Sequence, residues 1–432
     1  MTILFFRLLH ILLLNRLPFV GDPELYLYPY LTTAGLLPYR QIVDQHFPGL
    51  FFFPVNFLTL GFSDPLSFKT LLWVLLILQS VLIYKIARKY FTSSTAVWAV
   101  ILFSVWQPLF DGHHLWIDTI LPVLTLSALY FWLGRQYFRA GLFLGLAMLF
   151  KQTVIVPIII LGLYLLIKNR KSFINFVSPP IIINLLIFVY FWSQNSLKDF
   201  IFWTIQFNLT SYTQAAGGLV FPKWLILFGV LTLIAIFTQL NNSRIRWISL
   251  WAGLFLAGSL TRMDLVHWHS IIPFLFIILG YFLSRLPRTL LLISGIFLVL
   301  FPLIKILSKL PSGDYRYFDA PTLQTVDLIK SVTHPGDHIF LLGAQPHIYA
   351  LTQTLPPGDY FSYQLPWYLP LTQSKILATL RVLSPHYIVF DPTAQIDDQT
   401  ILSYAPALIN FLFTNYSEVQ TFGNLKIYNK TP

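Results

Sequence analysis

Long apolar runs, cut by short loops that carry basic residues and no acidic ones, constrain this chain more than any other feature of its 432 residues. Approximate runs are 3 to 20, 66 to 84, 93 to 110, 115 to 133, 140 to 150, 153 to 167, 173 to 192, 223 to 240, 247 to 261, 268 to 284 and 289 to 307. Most approach the ~20 residues a helix needs to cross a bilayer, so the chain is expected to be an all-α polytopic bundle of about 11 membrane helices. The clusters Lys85/Arg88/Lys89, Arg135/Arg139, Lys168/Arg170/Lys171, Arg244/Arg246 and Arg285/Arg288 fall in every second loop. All 17 Asp and Glu residues fall in the alternate loops, near their membrane ends, or in the tail. Positive-inside logic therefore expects a cytoplasmic amino terminus and an extracytoplasmic tail. The net charge of +11 is thus a topology signal, with no nucleic-acid partner implied. With 56% hydrophobic and 10% charged residues, a soluble globular class is excluded.

Two runs need arbitration. Residues 3 to 20 are interrupted by Arg7, His10, Asn15 and Arg16 and lack a small-residue cleavage site, so they read as an imperfect first span. Residues 140 to 167 could be one long helix broken by Lys151, but a single helix would put Lys168, Arg170 and Lys171 on the face opposite Arg135 and Arg139. A hairpin turning at Lys151 keeps the basic loops together. Gly141 and Gly145, spaced G-x-x-x-G, predict close helix packing there. The chain has no cysteine, so neither a disulfide framework nor a Cys-based metal site can form.

After about residue 308 the composition changes, and the remainder reads as a small extracytoplasmic α/β domain of about 120 residues, with the expected division 1–307 and 308–432. Helices are expected over 321 to 333, 374 to 383 and 400 to 414, and buried strands over 338 to 342 and 387 to 390. A hairpin over 419 to 428 is expected to turn at Gly423-Asn424. Gly343-Ala344-Gln345-Pro346 lacks the pattern of a phosphate-binding glycine loop.

The first long segment outside the apolar runs, Gly21 to Phe53, gathers acid, base and aromatic groups. Asp22-Pro23-Glu24 reads as a helix start with Asp22 as N-cap, and Gly35 as its stop. The run Asp22, Tyr26 to Tyr28, Gly35, Pro38-Tyr39-Arg40, Asp44, His46 and Pro48 resembles the first external loop of GT-C glycosyltransferases of the protein O-mannosyltransferase and aminoarabinose-transferase type. Their pattern reads approximately D-E-x-x-Y, G-x-P-Y-R-D, D-x-x-P-P. Here Pro23 stands where that pattern has Glu, Gln41 follows Arg40 in place of Asp, and Gly49 replaces the second Pro. The resemblance implies a GT-C fold and inverting transfer of a sugar from a polyprenyl-phosphate donor to a lipid, glycan or protein acceptor on the external face, with Asp22 on the catalytic acidic position. A carboxylate taking the acceptor's proton and cations holding the departing phosphate are what that reaction needs.

Further candidates for substrate binding are Glu24, Arg40, Asp44 and His46 in the same loop, and Asp111, His113, His114 and Asp118 in the next external loop. Asp118 lies just inside a span, where an uncompensated charge must face the bundle or pair with a cation such as Lys151. Adjacent histidines on a regular helix or strand point apart, so no metal site and no cofactor is expected from His113 and His114. The run around Lys151, and Arg262 with His267, resemble the family's phosphate-contacting positions, and an arginine can pair two phosphate oxygens. Lys151 snorkelling to headgroups and Arg262 anchoring a membrane edge are the bland alternatives. A polytopic transporter or lipid-linked glycan flippase is the rival class, but its polar groups belong near the bilayer midplane, whereas here they lie at external helix ends.

Overall fold

The computed structural model describes residues 2–52, 65–212, 222–259, 264–311, 315–396 and 398–431. Arg262 lies outside the described residues. The chain forms two compact units: residues 1–21, 66–187 and 218–314 make the first, and residues 22–65, 188–217 and 315–432 make the second. The expected boundary at 307/308 thus lies close to where the chain last enters the second unit, which also takes in the first loop and the segment after residue 188.

The first unit is helical. Among the described residues of the chain, four helices are long and apolar enough to cross a membrane: Pro65–Tyr90, Ser93–Phe110, Arg170–Ser193, whose last residues belong to the second unit, and Arg288–Leu307. Six shorter apolar helices accompany them, among them Ile117–Leu133, Tyr137–Met148 and Ile272–Leu283, as in a multi-pass membrane protein. Helix Ser93–Trp106 packs against Ile272–Leu283. Gly280 permits this, because a Cβ there would stand 2.7 Å from the Ala99 nitrogen. The G-x-x-x-G expectation holds in the same way. A Cβ on Gly141 would collide with the Phe176 carbonyl oxygen, and one on Gly145 would lie 3.0 Å from Pro180 Cα. Helices Tyr137–Met148 and Ile155–Lys168 are separate, with Lys151 and the 3-10 turn Gln152–Val154 between them.

The first helix, Thr2–Leu14, is shorter than expected and is followed by the strand Phe19–Gly21. Two of the interrupting residues, Arg7 and His10, face inward. Arg7 is buried, and its guanidinium donates to the hydroxyls of Ser80 and Ser104 and to the carbonyl of Val100. His10 Nε2 lies 2.7 Å from Gln107 Oε1. Polar side chains in an apolar helix are tolerated where the bundle supplies such partners.

The second unit is mixed. Helix Glu24–Thr33 begins at Glu24 with Pro23 at its N-cap and no side-chain cap bond, so the expected capping by Asp22 does not occur. Gly35 (φ +97°) ends it as expected. A short strand, Ile42–Val43, pairs in parallel with Phe361–Ser362. A four-stranded sheet orders Tyr416–Phe422, Leu425–Lys430, Tyr387–Phe390 and Phe340–Leu342 side by side, the last two parallel and the others antiparallel. The hairpin turns at Gly423 (φ +56°) as its sequence predicts. The expected helix 400 to 414 is two, Ile401–Tyr404 and Pro406–Asn415, because Pro406 starts a second one.

Candidate active site

In the second unit, a cleft of about 290 Å³ opens beyond the carboxyl ends of the parallel strands Phe340–Leu342 and Tyr387–Phe390. That is where α/β sheets place ligands, because the loops leaving adjacent strands diverge there. Gly343 (φ +67°) follows the first strand, and a Cβ on it would lie 2.8 Å from the Asp391 carbonyl. Its N–H donates to Gln364 Oε1 at 2.7 Å, and Gln364 Nε2 donates back to the Leu341 carbonyl at 2.6 Å.

Asp22 and Glu24 line this cleft, half-buried, together with Arg316, Tyr317, Tyr363 and Gln364. Pro23 separates the two carboxyls, with Asp22 just before the helix N-cap and Glu24 the first residue of the helix. Burial is the largest influence on both and favours their neutral forms. For Asp22 the Glu24 charge adds to it and the Arg316 charge opposes it, and the net shift is well above the ordinary carboxylate range. Glu24 is pushed up to about 7, with Asp44 adding to burial and His46 and Tyr363 opposing it. The two carboxyls interact, so each raises the other's proton affinity and they titrate as a pair.

Arg316 and Tyr317 are held from behind. Tyr317 has a left-handed backbone (φ +77°), and its carbonyl accepts a hydrogen bond from His347 Nε2. His347 is buried, its imidazole lowered to about 4 chiefly by burial, so it remains a neutral donor at physiological pH. Tyr26 packs edge-on to the His347 ring at 6.1 Å. The aromatic lining and the carboxyl pair suit a polyhydroxylated ligand: apolar faces stack on the rings, and hydroxyls meet carboxylate, amide and guanidinium groups. Arg316, Tyr317, Tyr363 and Gln364 escaped the sequence reading. They lie in a tail whose first-loop partners are hundreds of residues away, and no local motif marks them.

Asp44 and His46 lie deeper, behind the cleft. Asp44 is 3% exposed and accepts from the Tyr28 hydroxyl at 2.5 Å, the His46 N–H at 2.6 Å and His46 Nδ1 at 2.8 Å. Three donors on one carboxyl group fix its orientation and tie the loop together. Arg40 is exposed, and its carbonyl accepts from Lys375 Nζ at 3.4 Å.

The first unit holds the remaining described candidates. Asp118 is 1% exposed, and both its oxygens are engaged: Lys151 Nζ donates to Oδ1 and His267 Nδ1 to Oδ2, each at 2.8 Å. The pairing of Asp118 with Lys151 is therefore real, and it brings His267 in as well. Residues 118, 151 and 267 come from three separate segments of the chain. Asp111, His113 and His114 form a second cluster in this unit.

Compared with known proteins, the family described as dolichyl-phosphate-mannose-protein mannosyltransferase matches residues 48–195. That stretch includes Asp111, His113, His114, Asp118 and Lys151 and starts where the Asp22 to Pro48 run ends. No protein of curated function matches the chain by sequence. Among solved structures, ArnT from Cupriavidus metallidurans bound to undecaprenyl phosphate is similar with a TM-score of 0.65 at 13% identity, covering 99% of this chain and 97% of that one. Its apo form gives 0.62. The oligosaccharyltransferase of Archaeoglobus fulgidus gives 0.55 at 13% identity, over 90% of this chain and 69% of that one. The chain has the GT-C fold of these proteins, the fold that the resemblance drawn from Asp22 to Pro48 implies.

Proposed function

We propose that the protein is an integral membrane glycosyltransferase that moves a sugar from a polyprenyl-phosphate donor to an acceptor outside the membrane, with Asp22 as the general base. The carboxyl pair in the aromatic cleft carries this reading. A buried carboxylate whose proton affinity is raised accepts a hydroxyl proton better than an ordinary surface carboxylate does. Glu24 supports it by raising the proton affinity of Asp22, and the Arg316 charge opposes that rise.

In the transfer, the acceptor oxygen attacks the anomeric carbon while its proton passes to Asp22. The bond from that carbon to the phosphate oxygen breaks, and the electron pair leaves with the polyprenyl phosphate. Lys151 and Arg262, which resemble the family's phosphate-contacting positions, are proposed to bind a lipid phosphate. Lys151 fits because Asp118 fixes its ammonium in one orientation, with His267 as a second donor on the same anchor. The undecaprenyl phosphate bound by the similar ArnT supports a lipid-phosphate donor here. Inversion at the anomeric carbon follows if the acceptor attacks directly with no covalent enzyme intermediate. The charge alternation of the loops supports a cytoplasmic amino terminus and an external residue 308–432 segment.

The test is incubation of the purified protein with a panel of labelled polyprenyl-phosphate sugars and candidate acceptors. Transfer from at least one donor, lowered ~10²- to 10⁴-fold by Asp22→Asn, is expected. Normal transfer by a well-folded Asp22→Asn protein refutes the assignment of the base.

A further inference from the structure

The helical unit holds a cavity of about 710 Å³ that the proposed transfer does not use. Tyr130, in the last turn of helix Ile117–Leu133, lines it, whereas Asp118 lies in the first turn of that helix. Twelve residues of helix, about 18 Å, therefore separate the two along its axis. Most of the lining is one face of helix Pro65–Tyr90: Ile77, Val81, Tyr84, Lys85 and Arg88 recur at the spacing that stacks side chains on one side of a helix. The chemistry along that face is graded. Ile77 and Val81, 41% and 43% exposed, are apolar. Tyr84 follows, and then the cations of the last turns. Arg88 Nη1 donates to the Tyr84 hydroxyl at 3.3 Å, and Lys89 Nζ lies 4.2 Å from the centre of the Tyr130 ring.

This positive charge has no internal counterpart. Residues 1–21, 65–110 and 119–198 contain no Asp or Glu. Among the described residues, no ion pair reaches Arg7, Lys85, Arg88 or Lys89. Arg7, from helix Thr2–Leu14, forms part of the cavity wall and is 8% exposed. Its terminal nitrogens meet hydroxyls, carbonyls and the His10 ring, and among the described residues its Nε has no hydrogen-bond partner. A buried cation inside a membrane bundle is costly unless an opposite charge lies close. Topology alone accounts for exposed cations at a membrane edge, such as Arg135, Arg139 and Lys171 around another pocket of this unit. It does not account for Arg7.

We propose that this cavity binds the headgroup phosphate of an anionic phospholipid from the leaflet at the basic end of the bundle, with an acyl chain lying along Ile77 and Val81. A phospholipid carries the same gradient of hydrocarbon, polar esters and phosphate over the same length. From Ile77 to Lys89 the helix rises about 18 Å, which is half of a ~30 Å hydrocarbon core together with the start of the headgroup layer. Tyr84 and Tyr130 then stand at the interface, where tyrosine suits both an apolar and a wet side. Lys85, Arg88 and Lys89 hold the phosphate, as basic pockets between membrane helices hold acidic headgroups. The phosphate also gives Arg7 a counter-charge across the cavity. This site depends on the helical unit lying in a membrane and is independent of sugar transfer.

The test uses the full chain in a non-ionic detergent, freed of native lipid. It is titrated with dioleoyl phosphatidylglycerol, dioleoyl phosphatidylcholine or glycerol phosphate and read by native mass spectrometry. Phosphatidylglycerol should be retained in preference to phosphatidylcholine, and glycerol phosphate should not bind. Lys85→Gln/Arg88→Gln/Lys89→Gln should weaken phosphatidylglycerol binding by roughly 100-fold, about fivefold for each cation removed. Arg135→Gln/Arg139→Gln/Lys171→Gln, which loses the same charge elsewhere, should leave it unchanged. Thermal melts check that both variants are folded. If the first is not, the wild type still decides: in nanodiscs, phosphatidylglycerol and not phosphatidylcholine should shield Lys85 and Lys89 from amine acylation. Equal losses in both triple variants would make the binding surface charge alone. Equal retention of phosphatidylcholine would leave only an apolar groove, and glycerol phosphate binding as tightly as the lipid would make this a free-anion site. Each of these results, an unaffected first variant, or lysines equally reactive in both lipids overturns the proposal.

Discussion

Glu24→Gln separates what the carboxyl pair does for chemistry from what it costs the fold. Glu24 is raised in the folded chain from 4.5 to about 7, mainly by burial. A carboxyl whose folded value is raised leaves stability intact below its unfolded value and removes it as pH rises through the folded value. The loss from Glu24 therefore accumulates between about pH 4.5 and 7 and is complete above that. A shift of this size corresponds to roughly 3 kcal/mol, and water entering the cleft reduces it to about 1–3 kcal/mol. Glutamine keeps the shape and cannot ionise. The variant should match wild type near pH 4 and exceed it by that amount at pH 8, seen as a rise of a few degrees in melting temperature in detergent. Catalysis should move differently. Asp22 loses a neighbouring like charge, so its proton affinity falls and the acid limb of the kcat/KM profile shifts to lower pH. A Glu24→Gln protein no more stable than wild type at pH 8, or an acid limb that stays in place, refutes the description of the pair.

Asp118→Ala strands Lys151 and His267 in a mostly buried site and should destabilise the first unit by about 3–5 kcal/mol. Asp118→Asn with Lys151→Met should recover much of that loss in thermal melts, while phosphate-dependent transfer stays impaired. Gly141→Ala should cost at least about 1–3 kcal/mol by pushing its helix off Phe176, whereas Gly229→Ala, with open space at its Cβ position, should be near neutral or stabilising. Because Asp22 does not cap its helix, Asp22→Ala and Asp22→Asn should melt within about 0.5 kcal/mol of each other; a loss near 1 kcal/mol confined to Asp22→Ala would restore the cap. Reporter fusions after Arg288 and after Lys309 should report opposite sides of the membrane, and the same side for both would overturn the topology.

Much of the protein was written locally. Apolar runs with acid-free basic loops specify membrane helices because a bilayer tolerates little else, and the glycines at 141, 145, 35 and 423 mark contacts and turns that follow from the absence of a Cβ. The strand at Tyr387–Phe390 and the hairpin after it were equally legible, since strand period and turn chemistry are short-range. Asp22 and Glu24 were found for the same reason, as neighbours in one motif.

What the tertiary structure alone decided is which distant groups share a cleft or a charge. Arg316 and Tyr363 stand beside the two carboxyls because the first loop and the tail fold into one unit and join through Ile42–Val43 and Phe361–Ser362. Asp118 takes His267 as well as Lys151 because three turns of the helical unit converge on it. The donor atoms of His113 and His114 converge through a turn held by Gln107, against the divergence their adjacency predicts. Pattern and propensity act over a few residues, whereas the free energy of a buried charge is set by whatever the whole chain packs around it.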